Sequence, residues 1–205
     1  MNAHEFVCVH GVYRGQHGPE GEDLIQTRLP SVTFSSYEAA HCYAISPNDR
    51  FEMPVTPRIL KANLCIDRPL PISEHDPFID APIILDVMGM EAGSRFLIEN
   101  AGHIYNTDNW CSRFADEYQS VEEMAKRSPE LLSELYIDAY VVLDDPDFVA
   151  AAVDKGYDGA VHTGNGETAL TKEYRVFCMD RILDLEVVEY IGDSREAATQ
   201  TAVAA

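Results

Sequence analysis

The chain has 205 residues and a formal net charge of −20, with 15 lysines and arginines against 35 aspartates and glutamates. Its length suits one domain with a buried core, and 46% hydrophobic and 24% charged residues are typical of a globular protein. The acidity argues against a tightly bound nucleic acid and against an anionic membrane, because like charges repel. A basic protein partner remains compatible with the charge, and so does a surface that serves solubility alone.

Five cysteines, Cys8, Cys42, Cys65, Cys111 and Cys178, are widely spaced and form no CxxC motif and no zinc-like cluster with histidine. We therefore expect small buried thiols in a reducing compartment, and no metal site. The N-terminus lacks the basic and apolar segments of a signal peptide, and no apolar run is long enough to cross a bilayer. These features predict a cytoplasmic protein without a membrane partner.

The first third of the chain predicts strands and one short helix. A strand is expected over residues 6–15, followed by a Gly- and Pro-rich loop over 16–30 and a second short strand over 31–36. Residues 37–46 have apolar side chains at helical spacing, and 58–73 predict a further strand closed by two prolines.

The middle of the chain, from about residue 82 to 135, changes to a helical pattern. One helix is expected to be broken at Gly89 and Gly93. A second begins at Ser120, with Glu123 at the spacing of a capping box. This stretch predicts a helical lobe inserted between strands, and we expect such a lobe to recognise a target.

The last third is predicted to return to sheet. A helix is expected over 145–156, with Asp145 as its N-cap and Gly156 as its stop. A strand or the end of one is expected over 139–144, and further strands are expected over 157–163, 173–179 and 181–192. The plan is a single mixed α+β domain over residues 1–195, with a polar tail over 196–205 that is predicted to be disordered.

Two polar clusters near the N-terminus are candidates for binding. In the segment HGVYRG, glycines permit a close approach of a ligand to the backbone, and His10 and Arg14 can bind phosphate or ribose. Arg14 can also be an ordinary surface charge. Ser35 and Ser36 stand between a strand and a helix, where a hydroxyl can cap the helix or hold a ribose.

A third candidate lies near the C-terminus. Glu173 begins a hydrophobic strand directly after the glycine-containing loop GNGETALTK. A carboxylate in this place can bind a sugar hydroxyl and stabilise a developing cation, or it can simply face solvent. Tyr37 and Tyr43 can stack on a flat ring, although their helical spacing also suits a core. No P-loop, GxSxG, HExxH or GxGxxG motif is present.

The order of these segments resembles the ADP-ribosyltransferase family, whose split-sheet fold is shared by bacterial toxins and phage-encoded modifying enzymes. The early VHGVYRG looks like the family's first strand, and TFSSYEAAHCYA looks like its unit of strand, hydroxyl residues and short helix. RILKANLCIDRPLPI looks like a strand of the phage-type members, and KGYDGAV with EYRVFCMDRI looks like the C-terminal hairpin. The resemblance covers both ends of the chain and leaves out the middle.

The resemblance implies a split antiparallel sheet and a mono-ADP-ribosyltransferase that moves ADP-ribose from NAD to a protein, without a metal. Glu173 would be catalytic, binding the nicotinamide ribose and stabilising the oxocarbenium ion. The residues that it would assign to NAD binding are His10, Gly11, Arg14, Gly15, Phe34, Ser35, Ser36 and Tyr43.

The resemblance leaves three questions open: the first-motif residue, the acceptor and the reaction. Either His10 or Arg14 can be the first-motif residue. Members that modify arginine usually have Glu or Gln two residues before the catalytic glutamate, whereas this chain has Thr171 there, with Glu167 as the nearest upstream acid, so that the resemblance leaves the acceptor residue open. The same fold can also act as an NAD glycohydrolase, or as a catalytically inactive acidic protein that inhibits a basic partner.

Overall fold

The structure is a computed structural model that describes residues 6–17, 24–25, 27–45, 57–165 and 171–191. The predicted tail over 196–205 and the loop residues 166–170, including Glu167, lie outside the described residues. Within them, the strands are β1 (Val7–Gln16), β2 (Val32–Phe34), β3 (Arg58–Ile66), β4 (Phe78–Asp80), β5 (Tyr136–Asp138), β6 (Gly159–Thr163), β7 (Lys172–Val176) and β8 (Ile182–Tyr190).

The α-helices in the same residues are α1 (Tyr37–Ile45), α2 (Ala81–Met88), α3 (Met90–Glu99), α4 (Ala101–Ile104), α5 (Val121–Arg127), α6 (Ala139–Leu143) and α7 (Pro146–Asp154). A π-helical turn spans Trp110–Phe114, and 3₁₀ helices span Pro129–Glu134 and Met179–Arg181. The architecture is therefore a mixed α+β one.

Small antiparallel sheets form the frame of the molecule. The first sheet has the order β1-β3-β8, the second has the order β2-β7-β6, and β4 pairs with β5 alone. A single bridge joins the first two sheets: the Tyr13 N–H donates to the Ser35 carbonyl over 2.8 Å, and the Ser35 N–H donates to the Tyr13 carbonyl over 2.7 Å. The start of the chain is thereby tied to the strands near its end.

An apolar layer fills the space between the first two sheets. Val12 of β1 and Leu64 of β3 pack with Phe34 of β2 and Val176 of β7, and all four are buried. A smaller cluster, which includes Ala40 and Ile59, packs α1 against the first sheet. Side chains alternate along a strand, so the first sheet can serve both layers.

Helix α1 lies unusually close to β1. A Cβ atom added to Gly15 would lie 1.8 Å from the carbonyl oxygen of Ala40, so that only glycine fits at this crossing. The contact fixes α1 beside the strand that carries Arg14.

The helical middle of the chain lies between β4 and β5, whose pairing brings its two ends together. Its core includes Trp110, Val121 and Met124, and it continues without interruption into Leu143 of α6 and Phe148 of α7. The helices over residues 81–134 therefore share one core with later elements of the chain.

Two predicted helix ends in this region have different outcomes. Gly89 separates α2 from α3 with a φ of 82°, which confirms the predicted break. The break predicted at Gly93 is wrong, because Gly93 lies inside α3 and faces α2: an added Cβ would lie 3.0 Å from the Leu85 Cα. Gly93 thus permits close helix packing.

The local signals for α5 and α7 are confirmed. The Glu123 N–H donates to the Ser120 hydroxyl over 3.1 Å, and the Glu123 carboxylate accepts from the Gln119 N–H over 2.8 Å. Asp145 caps α7 by accepting from the Phe148 N–H over 2.8 Å, and Gly156 follows the helix with a φ of 85°. Capping residues act within one helical turn, which is why the sequence reveals them.

The strand predicted over 139–144 is wrong, because these residues form α6. The Asp138 carboxylate accepts a hydrogen bond from the Tyr140 N–H over 2.8 Å and caps the helix. A run of buried apolar residues fits a strand or a helix equally, so the cap and the packing decided.

The cysteines are not the buried thiols expected from the sequence. Cys8 and Cys111 are exposed, and Cys42, Cys65 and Cys178 are partly exposed. Cys8 and Cys65 are paired across β1 and β3, and the apolar layer between the two sheets does not include them. Of the helices that the structure describes, none combines the length and apolar character needed to cross a bilayer.

Candidate functional site

A cavity of about 810 Å³ opens where the two sheets meet. It is lined by residues 13–17, 25, 27–29, 33–35, 40, 43, 140, 144 and 175. The lining therefore combines β1, β2 and α1 from the start of the chain with α6 and β7 from its last third. A volume of this size is within the usual range for a small-molecule site, roughly 300–1,000 Å³.

The charge of the cavity is opposite to that of the chain. Its described lining carries three arginines, Arg14, Arg28 and Arg175, against one carboxylate, Asp144. The chain as a whole has a formal charge of −20. A positive cavity in an acidic protein favours the binding of anions.

Arg14 is held in the cavity wall by neutral groups. Its Nε donates to the Gln16 side-chain oxygen over 3.2 Å, and its guanidinium also donates to the Thr33 carbonyl over 3.2 Å. Burial and, to a smaller extent, the positive charge of Arg175 together lower the pKa of Arg14 to about 10. Arg14 remains charged at neutral pH and would be stabilised by an anion.

Arg175 faces the same space from β7, where it is the register partner of Thr33. It is 1% exposed, and it donates to Asp144 over 2.6 Å and to the Ser31 hydroxyl over 3.2 Å. Its buried Nε has no hydrogen-bond partner within the described residues. The guanidinium also lies over the Tyr140 ring, 5.0 Å from its centroid.

Glu173 lies directly behind this wall and is fully buried. The Tyr140 hydroxyl donates to its Oε1 over 2.6 Å. On the other side, Nε2 of His162 lies 3.8 Å from Oε2 of Glu173. Tyr140 itself lines the cavity, so it stands between the buried carboxylate and the open space.

His162 is a neutral neighbour of this carboxylate. Burial and the nearby charge of Arg175 lower its pKa below the ordinary value. Nδ1 of His162 donates to the Thr163 carbonyl over 2.8 Å, which leaves the Nε2 lone pair toward Glu173.

Tyrosines extend the network toward solvent. The Tyr43 hydroxyl lies 3.4 Å from the Tyr140 hydroxyl, and the Asn165 N–H lies 3.5 Å from the same oxygen. Because Tyr140 directs its proton to Glu173, Tyr43 is the donor of the pair. The hydroxyls of Tyr43 and Tyr140 thus lie next to each other in the cavity, beside the buried carboxylate of Glu173.

The structure brings together five of the residues predicted for the site. Arg14, Gly15, Phe34, Ser35 and Tyr43 all line the cavity. Ser35 also donates its hydroxyl proton to the Lys172 carbonyl over 2.8 Å, which ties β2 to the start of β7 next to Glu173.

The other predicted residues lie elsewhere. His10 is exposed on β1, and Gly11 has a φ of 66° at a strand irregularity, where its N–H donates to the Asn63 side chain over 3.0 Å. The Ser36 hydroxyl accepts from the Ala39 N–H over 3.2 Å and caps α1. Of the two first-motif candidates, Arg14 is the one in the cavity.

Sequence reasoning missed four residues of the site: Tyr140, Asp144, His162 and Arg175. Tyr140 and Asp144 fall in the segment that was expected to be a strand. Arg175 lies two residues after Glu173 and hence on the same side of β7, a signal that the sequence did offer.

The chemistry of this lining suits an anionic ligand that also has a flat ring. Arginines bind phosphate through paired N–H groups, and aromatic side chains stack on rings. Within the residues that the structure describes, no group of three or more His, Cys, Asp or Glu side chains is placed to hold a metal ion. Comparisons of the chain with protein-family models, with curated proteins and with solved structures found no match.

Proposed function

We propose that the protein is a mono-ADP-ribosyltransferase that binds NAD in this cavity and transfers ADP-ribose to a protein target. The observation that carries the proposal is the electropositive cavity between β1 and β7, with Glu173 one side chain behind its wall. The resemblance of the sequence to the family supports the same assignment of Arg14, Ser35 and Glu173.

In this proposal the arginines hold the pyrophosphate of NAD. Arg14 donates to the neutral oxygens of Gln16 and Thr33, and Arg175 has a buried Nε without a hydrogen-bond partner among the described residues. Tyr43, which is 43% exposed, offers aromatic surface for a ring of the dinucleotide.

The reaction would break the bond between the nicotinamide nitrogen and C1′ of its ribose. Nicotinamide leaves with the bonding electron pair, and an oxocarbenium ion remains, which a buried carboxylate stabilises strongly because water does not screen it. A nucleophile of the target protein then attacks C1′ and loses its proton. If water attacks instead, the same site is an NAD glycohydrolase.

Glu173 can act on the ribose only after Tyr140 moves. In the structure, the Tyr140 hydroxyl occupies one carboxylate oxygen, and its ring lies against Arg175. An anion that binds Arg175 would compete for the guanidinium and favour release of the ring. The acidic surface makes a basic protein the preferred target.

A second candidate function is supported by the burial of Glu173. The carboxylate is 0% exposed, and at the cavity surface β7 presents Arg175 instead. This arrangement suits an acidic protein that binds an anionic ligand or inhibits a basic partner without catalysis.

The deciding experiment measures nicotinamide release from NAD by the wild type and by Glu173→Gln. The transferase proposal expects release by the wild type and a loss of about 100-fold or more in the variant, as for removal of a main electrostatic group. Glu186→Gln, an exposed glutamate of β8 whose side chain is 60% exposed, is the matched control and should leave the rate unchanged.

Binding is measured separately by calorimetry with NAD. We expect Arg14→Gln to weaken binding about tenfold or more, whereas Arg113→Gln, an exposed arginine paired with Glu134, should bind like the wild type. NAD binding without any nicotinamide release would reject the transferase and favour the binding protein. Release without transfer to protein in a lysate supplied with labelled NAD would favour the glycohydrolase.

A further inference from the structure

Two cysteines face each other on neighbouring strands of the first sheet. Cys8 of β1 is the register partner of Cys65 of β3, although the two residues are 57 positions apart in the chain. Their sulfur atoms are 2.7 Å apart. Cys8 is exposed and Cys65 is partly exposed, so that small reagents can reach the pair.

The backbone already has the geometry of a disulfide. Directly opposed residues of an antiparallel pair have Cα atoms about 4.5 or 5.5 Å apart, and disulfides bridge Cα atoms about 4.4–6.8 Å apart. The register at Cys8 and Cys65 is regular, since the strand irregularity begins only after Val9. A bond between the sulfurs therefore requires side-chain rotation and no movement of the strands.

The two thiols have different roles in such a reaction. The hydrogen bond with Cys8 is the main cause that raises the pKa of the Cys65 thiol, and desolvation raises it further. The raised pKa favours the protonated form of Cys65. The more exposed Cys8 is the first nucleophile, and Cys65 is the second.

We propose that Cys8 and Cys65 are a reversible modification site at which a low-molecular-weight disulfide, such as oxidised glutathione, forms a cross-strand disulfide. The Cys8 thiolate attacks one sulfur of the oxidant, forms a mixed disulfide and releases one small thiol. The Cys65 thiolate, after loss of its proton, attacks the Cys8 sulfur and releases the second small thiol. The two protein thiols are oxidised, and the oxidant is reduced to two thiols.

The position of the bond gives it a structural effect. The segment between the two cysteines contains β2, α1 and every described cavity-lining residue except Tyr140, Asp144 and Arg175. A bond at the base of β1 and β3 would close this segment into a loop and restrict the unfolded chain. This effect does not depend on which ligand the cavity binds.

The test uses the full chain with Cys42, Cys111 and Cys178 replaced by serine, incubated in mixtures of oxidised and reduced glutathione. We expect the intact mass to decrease by two hydrogens, and peptide mapping to link Cys8 to Cys65. The oxidised form should unfold roughly 5–15 °C higher than the reduced form, and dithiothreitol should reverse the shift.

Cys8→Ser and Cys65→Ser in the same background are the matched controls. Each retains one thiol, so each should gain at most one glutathione and show no linked peptide. Three results would overturn the proposal: two free thiols after excess oxidised glutathione, a link that forms only in denaturant, or a link between two chains in place of the internal one.

Discussion

At the scale of single residues, one hydrogen bond links the cavity wall to a buried carboxylate: that between Tyr140 and Glu173. Glu173 is fully buried, and a buried charge is stable only if hydrogen bonds replace its lost water. The Tyr140 hydroxyl provides such a bond over 2.6 Å. The side chain that separates Glu173 from the cavity therefore also stabilises it.

Tyr140→Phe tests this contact. Removal of the hydroxyl leaves Oε1 of Glu173 with less hydrogen bonding in a buried place, so we expect a loss of about 1–3 kcal/mol in the free energy of unfolding. Urea unfolding measures this change in the free energy of unfolding. Tyr190→Phe, in which the parent residue is 55% exposed, should change stability little; equal losses in both variants would contradict the assignment.

His162 predicts how stability depends on pH. Its pKa is lowered in the folded protein, mainly by burial and then by Arg175; the carboxylates of Glu173 and Asp138 oppose this shift, and the Tyr140 ring packs against the imidazole. As the pH falls through about 6.5, this histidine binds a proton in the unfolded chain but not yet in the folded chain. Protonation therefore favours unfolding. The folded protein should lose stability between pH 7 and 5.

The contribution of His162 is at most about 1.4 kcal/mol per pH unit, the value for one proton. Urea unfolding at several pH values should show a shallower slope for His162→Asn than for the wild type. His103→Asn, at an exposed position on α4, should keep the slope of the wild type. An unchanged slope in His162→Asn would show that other groups cause the pH dependence.

At the scale of elements, close approaches decide how helices lie on strands. Gly15 permits the crossing of α1 over β1, and Gly93 permits the contact of α3 with α2. The sequence reading treated Gly15 as a residue for ligand contact and Gly93 as a break. Neither packing role can be read from the chain, because the partner of each glycine is set by the tertiary arrangement.

Gly15→Ala should be strongly destabilising. The added Cβ would lie 1.8 Å from the Ala40 carbonyl oxygen, so α1 must shift away from β1, at a cost of about 3 kcal/mol or more. Thermal unfolding measures the loss. Gly102→Ala, in α4 with no atom within 4 Å of the added Cβ, should instead be neutral or raise stability by up to about 1 kcal/mol.

At the scale of the whole molecule, the helical middle is part of one continuous core. Leu143, Phe148 and Ala160, which lie after the insertion, are buried in the same cluster as Trp110 and Met124. Removal of the helices would expose these apolar side chains to water.

Replacement of residues 82–134 by a short linker should therefore abolish the cooperative unfolding transition, and not merely change target choice. Near-UV circular dichroism and a thermal scan measure this. Substitution of the exposed pair Glu122 and Lys126 by alanine, on the same helical region, should cost below about 1 kcal/mol. A deletion variant that still unfolds cooperatively would show that the helical middle is an independent lobe.

The sequence alone determined the α+β class, the early strands, the caps of α5 and α7, and the candidate residues Arg14, Ser35 and Glu173. These depend on periodicity, turn residues and capping, which act over one or two turns of chain. Only the tertiary structure decided that Tyr140 stands between Glu173 and the cavity, that Arg175 lines the cavity, and that Cys8 faces Cys65. Contacts between residues far apart in the chain follow from strand pairing and core packing, and no local pattern encodes which partners meet.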